Sequence, residues 1–227
     1  MQLSDLTALL TAAGLCFRGG FQPVAGDGLP ALENGAIPAT LILVGDIGSR
    51  LWPVFSQSTE ANDGAPHPLD RWTRRIVDGI AQRAGAVPLY PFGGPPYWPF
   101  QRWAQRAETV FPSPLGILIH PEHGLWHAYR AALLFAETIA LPPLPAAQSP
   151  CESCAEKPCL STCPVGAFSA SGFDAGACTG HIAAPAGRPC MDGGCLARNA
   201  CPIATELRYP PPQLRFHMAA FRKARLS

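Results

Sequence analysis

Eight of the nine cysteines in this 227-residue chain lie between residues 151 and 201, in two groups that each end in Cys-Pro. The first group is Cys151-x2-Cys154-x4-Cys159-x3-Cys163-Pro164, and the second is Cys178-x11-Cys190-x4-Cys195-x5-Cys201-Pro202. Thiolates are soft ligands that select iron–sulfur clusters or zinc, and two sets of four match the ligand count of two 4Fe–4S clusters. The chemistry such centres offer is one-electron transfer, confined here to the last third of the chain.

Two other uses of the thiols compete. Disulfides need an oxidising compartment, and nine is an odd number. Zinc prefers pairs of close Cys-x2-Cys knuckles, and only Cys151 and Cys154 form one. A Cys-Pro ending has no role in a zinc ribbon but recurs in bacterial two-cluster ferredoxin motifs, where the cysteine before proline ligates the other cluster. On that pattern the first cluster takes Cys151, Cys154, Cys159 and Cys201, and the second takes Cys163, Cys178, Cys190 and Cys195. The spacing departs from the bacterial run: four residues separate Cys154 from Cys159 where two are usual, and the second group is stretched. Large apolar residues are sparse from 151 to 209, so metal–thiolate bonds are expected to supply folding energy there. Cys16 stands apart and reads as a small buried hydrophobe.

The elements that must carry these groups follow from periodicity. Residues 3–13 and 69–84 have helical spacing, the second with Leu69, Trp72, Ile76, Ile80 and Ala84 on one face. Helices are also expected at 48–56, 99–108 and 213–224. The apolar runs 39–45 and 87–90 read as strands. Leu115 to His120 and Leu125 to Phe135, joined by Pro121-Glu122-His123-Gly124, read as a hairpin. Residues 1–145 thus read as a sheet with helices packed on it, an α/β sandwich. The proline-rich stretch 141–150 is a stiff linker to a loop-rich metal domain, residues 146–227, that ends in a helix.

Bulk properties exclude several classes. A net charge of +1 without a strong block of one sign gives no reason to expect nucleic acid or an anionic membrane as partner. No apolar run reaches the roughly 20 residues of a membrane span. The opening Met-Gln-Leu-Ser-Asp does not read as a signal peptide, so the expected location is cytoplasmic. Walker-type and Rossmann-type glycine loops and nucleophile elbows are absent. His120, His123 and His127 read as ordinary turn and strand histidines rather than a metal trio. Gly93 to Trp98 reads as a rigid aromatic connection rather than a cofactor cover.

The cysteine region, with Cys178 far upstream of Cys190, resembles the dicluster module of epoxyqueuosine reductase and of the reductive dehalogenases, both cobalamin-dependent. Residues 1–145 resemble the cobalamin-processing protein of methylmalonic aciduria and homocystinuria type C, which has a flavin-nitroreductase-like fold. The clearest stretch runs from Gly116 through Leu118, His120, His123, His127 and Tyr129 to Arg130, with weaker support from Ala39 to Val44 and His67-Pro-Leu-Asp70. The resemblance implies an α+β chain, nitroreductase-like and then ferredoxin-like, with a corrinoid held between sheet domain and clusters. It implies that the backbone at Leu118 and Tyr129 lies along the corrin and that Arg130 binds an anionic group. Read physically, Arg130 sits inside an apolar strand and needs an anionic or strongly polar partner, a structural carboxylate or a ligand. The helical-repeat extension that helps epoxyqueuosine reductase place RNA is missing, which argues against RNA modification. Flavin is the lesser cofactor candidate. The expectation is therefore an oxidoreductase that takes electrons from a donor protein and passes them to a small-molecule cofactor or substrate. The alternative is a plain ferredoxin-type carrier.

Overall fold

The computed structural model describes residues 2–33, 35–169 and 172–226. The strands, numbered along the chain, are β1 (Cys16–Phe21), β2 (Thr40–Ile47), β3 (Val87–Leu89), β4 (Phe111–Pro112), β5 (Leu118–Ile119), β6 (His127–Phe135), β7 (Phe168–Ser169) and β8 (Gly172–Phe173). The helices that matter to the site are α1 (Leu3–Ala12), α2 (Pro68–Ala84), α3 (Phe100–Ala107), α4 (Pro158–Ser161), α5 (Ala175–Ala183), α6 (Arg188–Gly193), α7 (Leu196–Asn199) and α8 (Pro211–Leu226).

The chain divides into two units. One comprises Met1–Thr109 and His127–Ala146, the other Val110–Trp126 and Ala147–Ser227. The chain passes between them three times, and the expected division at 145/146 lies one residue before the third crossing. The excursion Val110–Trp126 into the second unit was not anticipated.

In the first unit an antiparallel sheet runs in the order β1-β2-β6-β3. Leu41, Ile42, Leu43 and Val44 of β2 are wholly buried, as are Ala131, Ala132 and Leu133 of β6. Consecutive burial means that both faces of the central pair are covered, which is why these strands read as unbroken apolar runs. Helices α1, α2 and α3 pack on the sheet. Pro68 opens α2, and Gly85 ends it in a left-handed conformation at φ 66°. Trp72, Val77, Ile80 and Ala84 form its buried stripe, with Ile76 only half-buried.

Two irregularities interrupt this sheet. Between β2 and β6 the register passes from Val44↔Ala131 to Gly45↔Tyr129, so Arg130 is an unpaired extra residue. Between β1 and β2 it passes from Phe17↔Val44 to Gly20↔Ile42, which puts Arg18 and Gly19 in a second bulge. Gly45 is required by close approach, because a Cβ there would stand 1.9 Å from the carbonyl oxygen of Ala128.

The expected hairpin does not form. β6 pairs with β2 and β3, whereas β5 pairs with β4 through Phe111↔Ile119 and Pro112↔Leu118. His120 and Gly124 only close a tight turn, exchanging backbone hydrogen bonds of 2.9 Å in each direction. An apolar run announces a strand but not its partner, and β2 lies some 90 residues before β6.

The second unit has short helices, one longer helix, α8, and little sheet. Its apolar cluster holds Leu115, Ile119, Leu125, Ala197 and Cys201, with Cys151, Cys159, Cys163 and Cys195 packed against it. The cysteines are thus themselves part of the core. Gly124 admits the 110–126 segment to this cluster: at φ 56°, a Cβ there would lie 2.4 Å from the carbonyl oxygen of Ile203. None of the described helices is long and apolar enough to cross a membrane.

Candidate metal centres

The eight cysteines line two separate cavities of the second unit. Cys151, Cys154, Cys159 and Cys201 line the first, with Pro114, Ile119, Pro150, Lys157, Pro158, Pro202 and Ile203. Cys163, Cys178, Cys190 and Cys195 line the second, with Phe168, His181, Ile182, Leu196 and Met218 among its walls. The cavity volumes are about 20 Å³ and about 30 Å³. Each cavity takes the Cys-Pro cysteine of the opposite sequence group: Cys201 closes the first and Cys163 the second.

Local structure explains how such dispersed thiols converge. Pro158 starts α4 after Lys157, which adopts a left-handed conformation at φ 41°. That turn brings Cys159 round to Cys151 and Cys154. Asp174 caps α5 by accepting the Ala177 N–H at 2.9 Å, and Pro185 follows its end. Cys178 and His181 are three residues apart on α5 and therefore share a face. Both reach the second cavity. Met218 of α8 closes another wall, and α8 packs on α6 and α5.

The electrostatics follow the same division. Burial pushes the Cys178 thiol up to about 11, and nearby Cys195, Cys163 and Cys190 add to the shift. Burial also raises Cys151, with Cys201, Cys159 and Cys154 reinforcing it. Cys190 and Cys195 are raised chiefly by burial, and at Cys195 the backbone N–H groups of Arg198 and Ala197, then the Arg198 guanidinium, oppose this. Four mutually repelling thiolates in an apolar wall need a cationic centre to exist as thiolates at neutral pH. Among the described residues, no group of three or more His, Cys, Asp or Glu side chains is disposed to hold a single ion. A 4Fe–4S cluster takes four thiolates around a cage, whereas a lone zinc ion needs its four ligands all about 2.3 Å from one point.

Unpaired polar atoms give a second test of fit. Among the described residues, the buried side-chain atoms without a hydrogen-bond partner are Ser49 Oγ, Trp126 Nε1, His181 Nε2, Arg198 Nε and Gln213 Oε1. All but Ser49 belong to the second unit. Arg198, between Cys195 and Cys201 in sequence, lies 4.5 Å from the Trp126 ring centre and 4.8 Å from that of Tyr209, and donates to the Leu125 carbonyl at 2.5 Å. His181 escaped the sequence reading. Its signal was available: a histidine three residues after a cysteine on a capped helix.

The residues expected to meet a corrinoid are dispersed differently. Leu118 lies buried in β5 of the second unit. Tyr129 and Arg130 lie on β6 of the first. Tyr129 donates its hydroxyl to Glu108, and burial together with the Glu108 charge holds its pKa well above the ordinary value. Glu108 also receives Arg18, which is 1% exposed, at 2.6 Å, and Arg18 contacts His127 Nδ1 at 3.2 Å. Arg130 pairs with Asp70 at 2.7 Å and donates to Thr73 Oγ1 at 3.2 and 3.1 Å. Its charge is therefore met by a carboxylate of the chain itself. Nearby, Asp46 is buried and its pKa is pushed up to about 6 by that burial, against the Leu51 and Ile47 N–H groups and Arg18.

His120 and His123 stack at 4.1 Å, whereas His127 belongs to the other unit. Cys16 is buried and receives a long hydrogen bond from Arg50 at 3.5 Å. The aromatic connection 93–98 lines an open pocket with Arg74, Asp78 and Tyr90.

The chain matches no protein-family model and no curated protein. Among solved structures, an epoxyqueuosine reductase determined with a tRNA-Tyr epoxyqueuosine-modified tRNA stem loop is similar at 15% identity and a TM-score of 0.49. The match covers 93% of this chain and 69% of that one. It is a likeness of fold at most.

Proposed function

We propose that this chain is an iron–sulfur redox protein in which Cys151, Cys154, Cys159 and Cys201 hold one 4Fe–4S cluster and Cys163, Cys178, Cys190 and Cys195 hold a second. The observation that supports it is the sorting of eight thiols into two cavities, each completed by the Cys-Pro cysteine of the other group. Bound there, the clusters would supply one-electron transfer. The chain's own residues ligate through thiolates, exclude water with Ile119, Ile203, Phe168 and Met218, and tie the two centres together through the crossed cysteines. Protein made without oxygen is expected to be brown, with broad visible absorption, and, after reduction, to give EPR signals of two interacting clusters. Colourless protein carrying zinc would overturn the reading.

The narrower form of the proposal makes a corrinoid the electron acceptor, and the support for it is the sequence resemblance around Gly116 to Arg130. A plain electron carrier is favoured instead by the Tyr129–Glu108 and Arg130–Asp70 pairs, which occupy the polar heads that a ligand would need. Cobalamin added to the reduced protein separates the two. A changed corrin spectrum selects the corrinoid, and an unchanged one selects the carrier. A parallel titration tests flavin.

A further inference from the structure

His181 distinguishes the two cavities. The first is walled by prolines, isoleucines and Lys157, and no histidine lines it. The second has His181 in its wall, with a buried Nε2 that pairs with no atom of the described residues. The backbone at His181 is closely packed. The His181 carbonyl accepts Ala184 N–H at 3.1 Å, and Gly187 packs so close that a Cβ there would lie 2.2 Å from that same oxygen. A buried nitrogen without a partner costs free energy unless something at the cavity pairs with it. In a wall otherwise made of thiols and apolar side chains, the acceptor that fits is a sulfur of the bound group.

Resting on the two-cluster reading above, we propose that His181 Nε2–H donates a hydrogen bond to a sulfur of the second cluster and raises its reduction potential. Reduction adds negative charge to the sulfurs, so a donor aimed at them stabilises the reduced form more than the oxidised one. The ring is neither a ligand nor a proton carrier in this role. It biases where the electron rests, toward the centre held by Cys163, Cys178, Cys190 and Cys195.

The test is a potentiometric EPR titration of the anaerobic holoprotein, with the first cluster as internal reference. His181→Phe removes the donor while keeping a planar ring. Its second cluster is expected to shift about tenfold toward the oxidised form at a fixed potential, which is about 59 mV for one electron. The first cluster should not move. His181→Gln retains a donor and should restore most of the wild-type value. An unchanged potential in His181→Phe, with both clusters present, overturns the role of His181 and leaves the cluster assignment standing. Wild-type protein without iron overturns the assignment itself. Should His181→Phe fail to hold the cluster, wild-type protein with 15N-labelled histidine decides by pulsed EPR. A weak imidazole coupling on one cluster signal supports the proposal, and its absence overturns it.

Discussion

The two units handle buried polarity in opposite ways. In the first, Arg18, Glu108, Tyr129 and His127 satisfy one another, Arg130 is paired with Asp70, and among the described residues Ser49 Oγ is the one buried side-chain atom there without a partner. In the second, Trp126, His181, Arg198 and Gln213 each keep a buried polar atom without a partner, and the cysteines double as core residues. One unit carries its own apolar core and polar network. The other, on the proposed reading, is a shell whose stability comes in part from the clusters it would bind. The difference predicts that the units respond separately to loss of metal and to loss of packing.

Cys201→Ser should have the largest effect. It lies in the second sequence group but lines the first cavity. Iron content should fall by about half, toward four per chain, with the first cluster's signal lost and hydrogen exchange rising in the second unit only. Loss of the second cluster's signal instead would reverse the partition. Leu133→Ala sharpens the comparison from the other side. Leu133 is wholly buried in β6, so truncation should destabilise the first unit by about 2–5 kcal/mol. Iron content should stay unchanged.

Asp46 gives a smaller, pH-dependent effect. Its folded pKa of about 6 exceeds the ordinary 3.8, so its stabilising contribution is fully present below 3.8 and is lost as pH rises through about 6. Asp46→Asn should flatten that slope in denaturation of the first unit, by on the order of 3 kcal/mol across the window. The slope should remain unchanged if Asp46 titrates normally. The smallest effect is expected for Arg130→Ala, about 1–2 kcal/mol, because the partly exposed Asp70 that it leaves behind can take water instead. A loss of iron on that change would contradict the independence of the units.

Legibility in the sequence followed the range of the cause. The cysteine groups and the stripe of α2 are local patterns, written in consecutive spacings. β1 was missed because Arg18-Gly19-Gly20 breaks alternation, and the structure shows a bulge there. The partner of β6 was misjudged because strand pairing between residues 40–47 and 127–135 leaves no mark in either segment. Arg130 announced its need for a counter-charge. That the counter-charge is Asp70, 60 residues upstream, depends on the β6 bulge and the phase of α2 together.

The central claim is that two cages of four thiolates each hold a cluster. Iron and acid-labile sulfide, measured per chain on protein purified without oxygen, test it most directly. About eight of each are expected, in a fold whose second unit collapses on chelation. A chain free of iron and sulfide whose second unit stays fully protected from hydrogen exchange would contradict it.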